Sequence, residues 1–270
     1  MSTRWKQAVK SMLPQAVRRW VRRYRSGPTY RGDFASWADA QRVSRGYADP
    51  AILDKAVAAT RAVRDGRAAW ERDTILFHEP MANGPLLRSL RRATEAAGGV
   101  LDLADFGGAL GSAWWQHRAW LADVKDARWS VIEQEGFVAA GRREFTVGPL
   151  RFHGSLDECF ASSRPSVLLL SSVLPYLENP RALLADVRGR AFRHVIIDRT
   201  GFVVRGRDRL TVQQVPAAIY EATYPCWFFD RTSLLAEFTA GWTVVDEWPT
   251  ADEADIDARH GGLMLERNVT

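Results

Sequence analysis

One stretch of the chain constrains what the rest can fold into: Val100-Leu-Asp-Leu-Ala-Asp105-Phe106-Gly107-Gly108-Ala109-Leu110-Gly111. A short apolar run, suited to a buried strand, meets a glycine-rich turn, and an amphipathic segment begins at Ser112. Glycines let the main chain turn sharply and let a ligand approach its amides without a Cβ in the way. The helix that follows turns the positive end of its dipole toward the same place, which suits a carboxylate or a phosphate. A strand, glycine turn and helix in this order belong to a mostly parallel sheet with helices on both faces.

The remaining sequence follows that pattern. Strands are predicted at Val100–Phe106, Ala127–Glu133, Leu150–His153, Ser166–Ser171, His194–Asp198, Trp242–Glu247 and Gly262–Glu266. Helices fall between most of them, at Ser112–Val124, Gln134–Arg143, Leu156–Ser162, Pro180–Val187 and Arg231–Ala240. The last two strands have no helix between them, which allows an antiparallel, hairpin-like finish. The expected fold is α/β and Rossmann-like, a seven-stranded mostly parallel sheet preceded by an N-terminal helical extension. Residues 28–99 read as a helical lead-in. Within it Phe34–Tyr47 is structured, a helix starts at Asp49-Pro50, and another spans Gly84–Ala97 before the stop at Gly98-Gly99. The main domain then occupies 100–270, with a polar insertion at 201–230 expected to build the acceptor pocket.

Details of the turn select the ligand. A dinucleotide fold spaces its glycines G-x-G-x-x-G, which Gly107, Gly108 and Gly111 do not satisfy. Asp105, Gly107, Ala109 and Gly111 fit instead D-x-G-x-G-x-G, the frame of class I S-adenosylmethionine (SAM)-dependent methyltransferases, with alanine in the middle slot. In that frame the turn packs under the amino-acid part of SAM and Asp105 lies near its ammonium group. Glu133, with Gln134 after it, ends the next strand, one βαβ step on, where an acid accepts ribose hydroxyls. His153 and Ser155 follow the third strand, where adenine contacts are usual. Ser171 and Ser172 follow the fourth, where cofactor meets acceptor. A loop histidine with a merely structural role is the alternative for His153.

Composition narrows the setting. No run approaches the roughly 18 apolar residues that span a bilayer, and no secretory signal precedes the chain's first helix, so a cytoplasmic protein is expected. Cys159 and Cys226 form no C-x-x-C pair and the five histidines no metal-binding spacing, so neither a disulfide framework nor a metal is expected. Residues 1–31 hold nine basic residues and no acid, whereas the remainder holds 28 basic against 32 acidic. The basic pI therefore belongs to an arm, residues 1–27. There Trp5, Val9, Leu13, Trp20 and Tyr24 recur at helical spacing among arginines. Such an arm suits peripheral contact with an anionic membrane surface through residues 4–25, at the inner face of the cell membrane, or packing on its own domain. No nucleic-acid motif accompanies the charge.

Several segments together resemble a group of methyltransferases met mainly among bacterial surface-polysaccharide (O-antigen and capsule) genes. They are Phe34-x-x-Trp37-x-x-Ala40-x-x-x-Ser44-x-Gly46-Tyr47, the Asp105–Gly111 turn, Ile196-Ile197-Asp198-Arg199-Thr200, Thr211-Val212-Gln213 and Tyr224-Pro225-x-Trp227-x-Phe229. The resemblance covers about residues 30 to 268. It implies a class I fold and SAM as cofactor, and the expected function is O-methylation of a carbohydrate or polysaccharide precursor.

Methyl transfer from a sulfonium is an in-line displacement driven largely by alignment, and an alcohol acceptor must also lose a proton. Asp198 is the first candidate for base or acceptor positioning, with Arg199 as its partner or as an anion clamp. A structural ion pair between the two is the alternative. Gln213, Tyr220 and Tyr224 are candidates for the pocket wall. The lack of an unmistakable base keeps open a second reading, a non-catalytic module that retains the fold for regulation or assembly.

Overall fold

The computed structural model describes residues 27–45, 50–216, 222–238 and 241–268. The basic arm, Gly46, Tyr47, Asp49 and Tyr220 lie outside the described residues.

The centre of the molecule is a seven-stranded sheet. Its strands are β4 (Val100–Phe106), β5 (Asp126–Ile132), β6 (Leu150–His153), β7 (Val167–Ser171), β8 (His194–Val203), β11 (Trp242–Pro249) and β12 (Ala258–Arg267). Their order across the sheet is β11-β12-β8-β7-β4-β5-β6. Strands β4 to β8 pair in parallel, while β12 runs antiparallel to both β8 and β11. The chain thus enters at β4, steps outward to β5 and β6, then returns to β7 on the other side of β4. A crevice opens outside the strand ends at such a switch point. This is the seven-stranded Rossmann-like arrangement of class I methyltransferases, with the antiparallel finish.

Burial on both faces explains why the central strands read as continuous apolar runs. Leu101, Leu103, Leu169 and Ile196 face one core, built with Leu86, Leu90, Trp114, Trp115 and Val138. These come from α3 (Gly84–Ala96), α4 (Ser112–Leu121) and α5 (Glu135–Glu144). Ala104, Leu168, Leu170, Val195 and Ile197 face the other core, with Cys159, Leu184, Val187 and Leu234. These belong to α6 (Leu156–Ser162), α7 (Pro180–Gly189) and α8 (Arg231–Ala236). Side-chain caps start the helices where the sequence changes character: Asn83 for α3, Ser155 for α6, Asn179 for α7 and Asp230 for α8.

The lead-in and the insertion depart from expectation. Besides α1 (Trp37–Arg42) and α2 (Pro50–Arg64), the lead-in carries three strands, β1 (Thr29–Arg31), β2 (Trp70–Arg72) and β3 (Ile75–Phe77). Strands β2 and β3 form a hairpin whose turn, Asp73-Thr74, holds both residues at positive φ. That backbone usually recruits Asn-Gly or Asp-Gly, so the turn is hidden in the sequence. The insertion is no polar loop. Strand β9 (Arg209–Gln214) pairs with β1 on one side and with β10 (Thr223–Phe228) on the other, in a second, antiparallel sheet of order β1-β9-β10. Only two or three alternations mark each of these strands, too few to separate from a loop by period alone.

Phe228 joins the two sheets. Fully buried, it meets the Tyr30 ring edge-on at 4.7 Å and the His260 ring at 5.7 Å. Main-chain bonds from Phe229 to Gly201 and from Val203 to Phe229 continue the junction. Phe228→Ala is expected to lower the unfolding free energy by about 3–5 kcal/mol, measured by urea denaturation. A loss below about 1 kcal/mol would mean that the second sheet is not docked through this ring.

Candidate active site

One cavity of about 590 Å³ opens where the switch point places it, roofed by the lead-in and the second sheet. Its floor is the turn after β4. There Asp105, almost fully buried, accepts a 2.9 Å hydrogen bond from the indole of Trp129. A Cβ at Gly108 would sit 2.5 Å from the Asp105 carboxyl, so the turn closes over that carboxylate only with glycine there. Burial, opposed by the Trp129 bond and reinforced by the Glu133 charge, pushes Asp105 up to about 7. Glu133 takes hydrogen bonds from the Ala109 and Gln134 amides, at 3.3 and 2.8 Å, and burial raises its pKa as well. Gly107, Gly108, Ala109, Gln134, Ser171 and Ser172 complete this half of the wall.

Three predicted cofactor residues lie elsewhere. Gly111 is the left-handed residue that starts α4, packs against Leu150 and stays out of the cavity. Ser155 caps α6, and its hydroxyl is spent on the Glu158 amide. His153 is buried in the β6 region without lining the cavity, its Nε2 unpartnered among the described residues. All three follow a strand or turn where the motif points, but Gly111 and Ser155 serve helix starts and the His153 side chain is buried away from the cavity.

The opposite half centres on Asp198, at 0% exposure. Asn83 Nδ2 and Ser171 Oγ donate to its Oδ2 at 3.1 and 3.2 Å, and Trp248 Nε1 donates to its Oδ1 at 3.0 Å. Burial raises its pKa; the Trp248 bond and the charges of Arg199 and Arg72 oppose the rise. Arg199 does not pair with Asp198. It lies at positive φ, and its guanidinium reaches Asp73 at 3.0 Å and Asp252 at 3.2 Å. Burial alone would raise Asp252, yet the Arg199 charge holds it well below the usual carboxylate range. Arg199 is thus the hub of a partly buried charge cluster, with Asp73 on its exposed side, rather than an open anion clamp.

Tyr224 and Gln213 do line the cavity. Tyr176 donates to Gln213 Oε1 at 3.0 Å, Gln213 donates onward to the Tyr224 hydroxyl at 3.4 Å, and the two tyrosine rings meet edge-on at 5.3 Å. Sequence reasoning missed Tyr30, Glu71, Arg72, Asp73, Asn83, Asp252 and His260, all of which line the cavity. Glu71 is buried against the Ser112 hydroxyl and the Thr74 amide. His260 is half-buried, its Nδ1 atom is enclosed and unpartnered among the described residues, and desolvation lowers its pKa. Only Asn83 carried a legible signal, as the cap residue before Gly84-Pro85.

No family model matches the chain, and no curated protein matches it. Among solved structures, the chain is similar to the N-terminal domain of EvdMO1 with SAH bound, at 18% identity and a TM-score of 0.48 over 78% of this chain and 97% of that one. It is also similar to CalS10, an amino pentose methyltransferase from Micromonospora echinaspora with SAM bound, at 12% identity and a TM-score of 0.46 over 77% and 96%. The glycopeptide N-methyltransferase MtfA complexed with SAM matches at 12% identity and a TM-score of 0.45, over 67% and 92%. These likenesses are distant.

A buried carboxyl whose pKa is raised on folding takes up its proton more readily in the folded than in the unfolded state. Asp105 therefore costs the cofactor-free protein stability progressively as pH rises from the ordinary value of 3.8 toward about 7, and fully above that. Asp105→Asn should raise Tm more at pH 8 than at pH 4.5, by about 2–4 °C for each ~1 kcal/mol recovered. An equal shift at both pH values, or a fall at pH 8, would show that the carboxylate carries no such penalty.

Proposed function

We propose that this chain is a SAM-dependent methyltransferase that O-methylates a carbohydrate or a surface-polysaccharide precursor. One observation supports the reading above the others. A single cavity faces the Asp105–Ala109 turn and Glu133 on one side and the buried carboxylate of Asp198 on the other; the turn follows β4 at the switch point, and Asp198 stands where the parallel pairing of β8 with β7 ends.

The residues present suit the cofactor. A desolvated carboxylate at Asp105 has one hydrogen-bond donor, Trp129, and no cation among its described hydrogen-bond partners, so a ligand ammonium group would offset its burial. Glu133 presents a carboxylate to a diol, with Gln134, Ser171 and Ser172 along the same wall. Bound there, SAM supplies an electrophilic methyl group on a sulfonium. The acceptor half then has two tasks, holding the hydroxyl in line and taking its proton. Asp198 is suited to the second. Burial makes it a stronger base than a solvated aspartate, and the bonds from Asn83, Ser171 and Trp248 hold it still. Arg199, locked between Asp73 and Asp252, ties the β2–β3 hairpin to the loop before β12 and so keeps the lead-in over the site. Tyr224 and Gln213 form the wall against which the acceptor rests.

Two experiments test this reading. Calorimetric titration of S-adenosylhomocysteine should show binding to the wild type and none to the Asp105→Ala, Glu133→Ala variant; no heat with either protein would sink the cofactor assignment. In a methyl-transfer assay over a panel of sugar nucleotides, Asp198→Asn should lower kcat by about 10²–10⁴-fold while leaving cofactor affinity within about twofold. The acidic limb of the wild-type kcat/KM profile should inflect above the ordinary aspartate value of 3.8, since Asp198 must be unprotonated to act. An undiminished kcat in Asp198→Asn would remove Asp198 as the base.

A further inference from the structure

We infer that the acceptor carries an anionic group, a carboxylate or a phosphate, and that Arg72 receives it with the Tyr30 hydroxyl beside it. This rests on the methyltransferase reading, whose acceptor half it specifies.

Arg72 ends β2, and its guanidinium lies 5.3 Å from the Trp70 ring on the wall of the cavity. That is its one described contact of a directed kind. Among the described residues its guanidinium makes no hydrogen bond and no ion pair, although the side chain is half-buried. Every other charged group around it is already engaged. Asp198 is held by three donors, and Arg199 by Asp73 and Asp252. A guanidinium presents five N–H donors in a rigid fork, and leaving them unspent in a desolvated site is costly. That fork matches a carboxylate or phosphate two bonds at a time.

Position assigns the group to the acceptor rather than to the cofactor. Asp73, the next residue, is bonded to Arg199, which follows Asp198 in the chain, so β2 ends on the acceptor half; the charges that act on Arg72 most strongly, Arg199, Asp252, Asp73 and Asp198, agree with that placement. Tyr30 shares two of those neighbours, Asp252 and Arg199. Its ring is fixed by Phe228, and its hydroxyl, on the cavity wall, has no hydrogen-bond partner among the described residues. Two unspent donors, one charged and one neutral, thus come from the lead-in to the same side of one cavity.

The test uses the full chain saturated with S-adenosylhomocysteine and three matched pairs of probes: glucuronate with glucose, glucose 6-phosphate with glucose, and benzoate with benzamide. The wild type should bind the anion of at least one pair about tenfold more tightly than its neutral partner. Whichever pairs show the preference tell carboxylate from phosphate. Arg72→Gln should erase the preference, Arg72→Lys should keep part of it, and Tyr30→Phe should weaken the anion by a smaller factor. S-adenosylhomocysteine affinity should stay within about twofold in all three variants. A wild type with no preference in any pair, binding to neither member included, overturns the inference. So does a preference that survives in folded Arg72→Gln. A loss of S-adenosylhomocysteine affinity in Arg72→Gln with the preference intact would assign Arg72 to the cofactor's own carboxylate and overturn it too. Should Arg72→Gln fail to fold, the wild-type comparison with Arg72→Lys and Tyr30→Phe decides. If the wild type binds no S-adenosylhomocysteine, the methyltransferase reading fails; the same pairs run without it then decide the anion site separately.

Discussion

The carboxylate of Asp198 is the constraint on which the site depends. A fully buried carboxylate is tolerable only if its oxygens are hydrogen-bonded, and here the donors come from three other parts of the chain. Asn83 precedes α3, Ser171 ends β7 and Trp248 lies on β11. Satisfying one side chain therefore fixes the lead-in, the sheet centre and the antiparallel edge relative to one another. Asn83 serves twice, since its Oδ1 also caps α3 while its amide reaches Asp198. The same residue that starts a core helix thus aims the lead-in at the cavity.

Around Asp198 the cavity stores electrostatic cost. Asp105, Glu133, Glu71 and Asp198 are all raised by burial. Arg72 is lowered by it. In a core built only for stability, apolar residues would serve at these positions with less penalty. Titratable groups with perturbed pKa values gathered in one cleft are what a reactive site looks like on physical grounds. The cluster of Arg199, Asp73 and Asp252 plays a different part. One guanidinium bridges two carboxylates, so it acts as a fastening that holds the β2–β3 hairpin over the opening.

The sheet was legible to within a few residues because its signals are local. Central strands such as Val167–Ser171 are short apolar runs, and the glycine turn and Glu133 sit at fixed places after strands. Strands β9 and β10 were not legible, although Leu210, Val212, Cys226 and Phe228 alternate inward along them. Their alternation is brief, and β1, the outer partner of β9, lies about 180 residues away, where no local pattern can announce it. The β2–β3 hairpin escaped for a further reason: Asp73-Thr74 adopts a backbone that its residue types do not advertise.

By itself the sequence determined the α/β class and the strand that leads to the glycine turn, and it offered Asp105, Glu133 and Asp198 as candidate carboxylates. Each follows from short-range periodicity or from the stereochemistry of a turn. Only the tertiary structure decided what those carboxylates touch. It put Asn83 against Asp198 across 115 positions and Asp73 against Arg199 across 126. It turned Gly111, His153 and Ser155 toward core and helix cap, and it left Arg72 open to the cavity. Polar networks of this kind answer to burial, which forces each desolvated group to find a partner wherever the fold brings one. Sequence spacing does not contain that information.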